Sequence, residues 1–221
     1  MSAAGDSDDA EEPEDAEDAA GAANAEDEDE LDVPNWDDEY LDRVGDRLRH
    51  SYDLAKDHQV DVGGSVAGGR FDLYGRLAIT SQRHFIHPNL TYGHHEQTEH
   101  LYARRAESVT VADLEALVEL GHDLADERVV ASEEHFSTDF TFALIVPEIP
   151  EKVRSFVDGF SDRTLLKYGY HGHYEVNLVV VAPEREDVVA SESADVARAF
   201  ALWESGDEGE SSSGLLSRLL P

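Results

Sequence analysis

From Arg163 to Pro183 the chain reads RTLLKYGYHGHYEVNLVVVAP, alternating at first and then turning wholly apolar. In an extended strand successive side chains point to opposite faces. His171, His173, Glu175 and Asn177 would line one face, and Gly172, Tyr174, Val176 and Leu178 the other. From Leu178 to Ala182 both faces are apolar, the pattern of a strand covered on two sides. The stretch predicts a central strand whose first half carries an open polar surface. A hairpin near Gly169–Gly172 would lead into it.

Other segments divide by the same rule. His135–Val146 predicts a strand with Phe136, Phe140, Phe142 and Leu144 on one face and His135, Ser137, Asp139 and Thr141 on the other. Phe71–Ser81 predicts another, with Phe71, Leu73, Leu77 and Ile79 together, and Glu96–Arg104 predicts a partner that pairs back on it. Helical spacing predicts a helix over Asn35–His58, capped by Asn35, with Trp36, Tyr40, Leu41, Val44, Leu48 and Tyr52 on its buried stripe. Thr110–Asp126 opens on Thr110 and Asp113, a capping box with Asp in the usual Glu place, and buries Leu114, Leu117, Val118, Gly121 and Leu124. Glu151–Phe160 and Asp187–Trp203 predict two further helices, the last ordered from about Ala194. Asp61–Arg70 is glycine-rich but lacks the Lys-Ser/Thr ending of a phosphate loop, and reads as a connector.

A displacement of 36 residues lays His135 on His171, Asp139 on Glu175 and Val146-Pro147-Glu148 on Ala182-Pro183-Glu184. Each copy is a strand with a polar start, an apolar finish and a Pro-Glu stop. That echo predicts a strand–helix–strand crossover with parallel strands. The fold class expected is α/β, with α+β as the alternative. The architecture is a single two-layer domain, a mixed sheet of four or five strands with helices mainly on one face.

Charge narrows the environment. The chain carries 50 acidic and 17 basic residues, a net −33, and only Lys56, Lys152 and Lys167 are lysines. At about 1 M salt the screening length falls to roughly 3 Å, which silences repulsion between surface carboxylates. An acid-rich, lysine-poor chain therefore reads as adapted to a salt-loaded cytoplasm. No cysteine is present, which excludes disulfide and thiolate chemistry. No apolar run approaches the ~18–20 residues that span a bilayer, so no membrane role is expected. No basic stripe supports nucleic-acid binding.

Fifteen of the acidic residues and no basic ones fall in Met1–Pro34, a composition that predicts a disordered tail. With those fifteen set aside, the remaining 187 residues still carry −18. Residues 35–204 form the expected domain. At 205–221 a polar linker leads to GLLSRLLP, where Leu215, Leu216, Leu219 and Leu220 fall on one face of a short helix; the peptide is a candidate to dock on a protein partner or, equally, to fold back on its own domain.

The candidate chemistry gathers on the polar sheet face. Two imidazoles at i and i+2 on a strand can chelate one divalent metal, and a carboxylate can complete the set. His171, His173 and Glu175, with His135 and Asp139 of the preceding strand, are the metal-ligand candidates, and His173 and Glu175 the acid–base candidates. His94 or His100 is an additional candidate. His95-Glu96 begins like a zinc-protease HExxH, but Glu99 stands where the second histidine is needed. A nuclease site would need D/E-x-K on a strand, and no predicted strand carries one.

The stretches LDVPNWDDEYLDRV, RFDLYGRLAITSQRHFIHP and LLKYGYHGHYEVNLVVVAPE resemble an uncharacterised haloarchaeal domain family, over about Leu31 to Glu204. The resemblance implies the source and the domain limits, and no activity or ligand. Two functional classes follow from the residues. One is a non-enzymatic binding or adaptor domain using its tails or its exposed sheet face. The other is a metal-dependent or acid–base enzyme centred on His173 and Glu175, with a nuclease-like domain third.

Overall fold

The structure, a computed structural model, describes residues 34–62, 67–84 and 91–204, with the backbone alone at 80–84 and 91–95. The acidic stretch before Pro34 and the peptide carrying Leu215, Leu216, Leu219 and Leu220 lie outside the described residues. In chain order the elements are α1 (Glu39–Leu48), β1 (Asp53–Val60), β2 (Gly69–His84), β3 (Thr91–Arg105), α2 (Val111–Arg128), β4 (His135–Ile145), α3 (Glu151–Asp158), β5 (Asp162–Leu165), β6 (His173–Ala182), β7 (Asp187–Ala190) and α4 (Ala197–Phe200).

The fold is α/β, built on one mixed sheet ordered β1-β2-β3-β4-β6-β5, with β7 also on β6. The sheet thus has seven described strands where the sequence predicts four or five. β3, β4 and β6 run parallel, and every other pairing is antiparallel. The crossovers between the parallel strands carry α2 and α3; the second, from β4 through α3 to β6, is the one the 36-residue echo predicts.

Helices cover both faces rather than one. Leu114, Leu117 and Leu124 of α2 and Val153 and Val157 of α3 pack with Phe142, Val176, Leu178 and Val180. On the reverse, Leu41, Val44 and Leu48 of α1 and Phe200 of α4 pack with Leu101, Ala143, Val179 and Val181. The reason lies in the doubly apolar run of β6. Val179 and Val180 point to opposite faces, and exposing either would forfeit about 25 cal/mol for each Å² left in water.

Three segments differ from the sequence expectation. The helix expected over Asn35–His58 stops at Leu48, and Asp53–Val60 is an edge strand on β2. That strand is mostly exposed, so its few apolar positions carry no clean alternation. The helix cap is Asp38, whose carboxylate accepts from the backbone N–H of Tyr40 at 3.0 Å and of Leu41 at 3.2 Å, rather than Asn35. Asp187–Ala190 is a strand that zips onto Val179–Ala182, and only Ala197–Phe200 is α-helical in the last segment. In β2 the alternation slips: Phe71 joins the α2 side and Leu73 the α1 side, while Ile79 is exposed. Asp57, across from that slip in β1, sits at φ +52°. Two other expectations hold: the Thr110–Asp113 capping box opens α2, and β5 and β6 form the hairpin around Gly169–Gly172.

Candidate functional site

The strand register sets the site. Glu99 pairs with Asp139 across β3 and β4, Asp139 with Glu175 across β4 and β6, and Glu175 with Arg163 across β6 and β5. Two residues further on, Leu101 and, four further on, Ala143 and Val179 all enter the α1-side core. Alternation therefore puts three carboxylates and a guanidinium in one row on that face. Neighbouring strands are about 4.8 Å apart, so the carboxylates are near neighbours.

Their environment is partly dry. Glu175 is buried and takes an ion pair from Arg163. Glu99 and Asp139 are half-buried, and Tyr52 stands beside Glu99. Burial, with Glu175 and Glu99 on either side, pushes the Asp139 carboxyl up to about 7 against the pull of Arg163. Burial, reinforced by Asp195, also raises Glu99. Near neutral pH Asp139 is therefore poised between its protonated and ionised forms.

Two oxygens in this region lack partners. Asp139 Oδ1 and Thr141 Oγ1 are buried with no hydrogen-bond partner among the described residues. Thr141, only 1% exposed, stands one level along from Asp139, between Leu101 and Asn177. Orphaned buried acceptors are rare, because each costs about 1–3 kcal/mol. Here two lie on the same face of one strand.

The predicted site residues divide. His173, Glu175 and Asp139 do come together: His173 Nε2 lies 3.3 Å from Glu175 Oε1, next to the row. Burial, and then Arg163, depress the His173 imidazole. His135 acts on His173 only through its charge, and its ring is bonded elsewhere, as is the His171 carbonyl. His135 Nδ1 bonds the His171 carbonyl at 2.7 Å and Nε2 bonds Thr138 Oγ1 at 2.9 Å, so both ring nitrogens are engaged in bracing the turn. His171 belongs to that turn and precedes β6, so the polar ladder begins at His173. Among the described residues, no three His, Asp or Glu side chains meet where they could hold a metal ion. His100 lies on the opposite face, 2.8 Å from the Tyr74 hydroxyl and stacked on Phe140, and burial lowers it to about 4. The side chain of His94 lies outside the described residues.

Sequence alternation places Thr141 on the face of Asp139 but does not single out Glu99, Arg163 or Tyr52. Glu99, Leu101 and Ala103 alternate visibly, but only the parallel β3–β4 register brings Glu99 beside Asp139. A second polar chain carries no sequence signal. His122 of α2 joins Asp162 Oδ2 at 3.2 Å and the Tyr174 hydroxyl at 3.0 Å.

A family model matches residues 37–202, most of the chain. The chain belongs to DUF8052, a family described as a domain of unknown function. The DUF8052 match runs from the lead-in of α1 to just past α4, so the whole carboxylate row lies inside it. No curated protein and no solved structure matches the chain. No helix among the described residues of this DUF8052 domain is long and apolar enough to cross a membrane.

Proposed function

We propose that this DUF8052 protein is a cytoplasmic, salt-adapted binding domain, and that its ligand is a small organic cation. The ligand's ammonium or guanidinium group would lie against the Glu99–Asp139–Glu175 row. The observation that carries this reading is Asp139: a half-buried carboxyl between two others, with one oxygen unpartnered. A cation with several N–H donors answers both features. It supplies the missing donor and replaces the proton that keeps neighbouring carboxylates compatible. Tyr52 adds a hydroxyl at the Glu99 end, and Arg163 closes the Glu175 end.

The test is thermal melting in molar KCl with agmatine, spermidine, putrescine and arginine methyl ester. At least one is expected to raise the midpoint, more strongly at pH 8 than at pH 5, because Asp139 must ionise to accept it. Asp139→Asn is expected to abolish the response. No shift by any of them between pH 5 and pH 9 would overturn the proposal.

One observation favours a second reading. A carboxyl held at about 7 suits proton transfer at neutral pH. In an acid–base enzyme Asp139 would exchange the proton, while His173 and Glu175 orient the substrate. Turnover of a bound amine, lost in Asp139→Asn and in His173→Gln, would replace simple binding with this reading.

A further inference from the structure

At the far end of the parallel strands, where β3, β4 and β6 finish at Arg105, Ile145 and Ala182, two hollows adjoin. The larger, ≈ 580 Å³, lies between the start of α1, at Tyr40, and the last described turn, at Leu202 and Trp203. The smaller, ≈ 360 Å³, is floored by Ile145, Val146 and Pro147. Both are bounded by Arg105, Pro183 and Glu184, which makes them one continuous groove. In open α/β sheets the crevice beyond the carboxyl ends of parallel strands is the usual place of binding.

We propose that this groove seats the chain's own segment Gly214–Pro221. The segment is tethered beside it: Leu202 and Trp203 form one wall, and Ser205–Ser213 add nine residues, a reach of up to about 30 Å. So short a tether holds the segment at an effective concentration on the order of millimolar. Chemistry matches along the length. The spacing of Leu215, Leu216, Leu219 and Leu220 would put them on one face of a helix, and the groove offers Tyr40, Trp203 and Pro183 to it. Arg218 is the segment's one charged side chain. The larger hollow carries the carboxylates of Asp38, Glu39, Glu184 and Glu186 against the guanidiniums of Arg43 and Arg105, and Asp38 is already tied to Arg105. The surplus is negative, the sign that receives one arginine. This inference stands apart from the cation site and does not depend on it.

Arg218 makes the test direct, because it is the only basic residue after Arg198. Limited trypsin digestion of the full chain in molar KCl, followed by mass spectrometry, reads cleavage after Arg218. The rate is expected to be at least tenfold slower than for the free peptide GLLSRLLP. It is expected to rise toward the peptide's rate in Glu184→Gln/Glu186→Gln, two exposed positions where the change adds no trypsin site, and in Trp203→Ala. All three proteins carry an identical cleavage site, and circular dichroism confirms that each is folded. Cleavage of the parent at the free-peptide rate would overturn the proposal, as would protection unchanged in both variants. Protection that vanishes on dilution, with dimers in sedimentation, would overturn it in favour of a second copy as the occupant.

Discussion

Asp139 faces Glu175 across the parallel β4–β6 pair, and 36 residues separate them, as they separate Ser137 from His173 and Ile145 from Val181. A constant offset in a parallel pair sets equivalent positions side by side. Because both segments begin polar and finish apolar, polar start meets polar start and carboxylate meets carboxylate. The same register that continues the core across Phe142 and Leu178 therefore gathers like charges at its open end. Burial and its two carboxylate neighbours raise Asp139 at that end, which leads to the first prediction.

Asp139 has a folded pKa of about 7, above the ordinary 3.8 of the unfolded chain. The protonated form thus favours the fold. Its contribution is complete below about pH 4 and is lost as the pH rises through about 7. Asp139→Asn keeps the shape without the charge. It is expected to be more stable than the parent at pH 8 by about 1–3 kcal/mol, with the difference vanishing toward pH 4. Urea unfolding in molar KCl from pH 4 to pH 8 checks this. A parent more stable than the variant at pH 8 would sink it.

His100 gives the opposite slope. Burial lowers its pKa to about 4 from 6.5, so the neutral ring favours the fold. That contribution is present above about pH 6.5 and is lost as the pH falls through about 4. His100→Phe keeps the stack on Phe140 and gives up the bond to Tyr74. The variant is expected to be about 1 kcal/mol less stable at pH 7.5, yet to lose less on acidification to pH 4.5. The same urea series decides. If both proteins lose equal stability between those values, His100 is not the group that titrates.

How much of this was legible depended on the distance over which each signal acts. Alternation in His173–Ala182 and His135–Ile145, and the α2 capping box, are local, and all three stand in the structure. The 36-residue echo even carried the β4–β6 register. What alternation cannot carry is which strand lies next to which. Glu99 joins the site only because β3 runs parallel to β4, and Arg163 only because a four-residue β5 covers the edge of β6. His171 failed for a different reason. Its period fits the strand, but Gly172 at φ +73° turns the backbone just before the ladder starts. Edge strands β1 and β7 were hidden because one-sided, half-exposed segments lose the period that marks a strand.

Gly172 is the second place where the backbone decides the site. A Cβ there would lie 2.0 Å from the Phe136 carbonyl oxygen, and its φ of +73° disfavours any other residue. The β5–β6 turn therefore docks on the start of β4 only with glycine. Gly172→Ala is expected to cost about 2–4 kcal/mol, which lowers the melting midpoint by about 5–15 °C. Because the same turn sets His173 and Glu175, amine-induced stabilisation is expected to weaken even where the variant remains folded. Calorimetry with and without agmatine reads both effects. A midpoint within 2 °C of the parent would show that the turn has another way to close.

Salt separates the surface charges from the row. The chain's net charge is −33 and most carboxylates of the described residues are exposed; repulsion between exposed charges reaches about 10 Å at 0.1 M salt but only about 3 Å at 1 M. The parent is therefore expected to lose helical circular dichroism as KCl is lowered from 3 M to 0.1 M. Asp139, by contrast, is shielded from ions by burial and repelled at close range by Glu175 and Glu99. Buried charges are screened far less than exposed ones. Melting curves of the parent and Asp139→Asn at pH 8 are thus expected to fall in parallel as salt is removed, with a constant gap between them. A parent midpoint that ignores salt would remove the surface-repulsion argument. A gap that closes at 3 M KCl would instead show that solvent ions reach the row, and with them any competitor for the proposed cation.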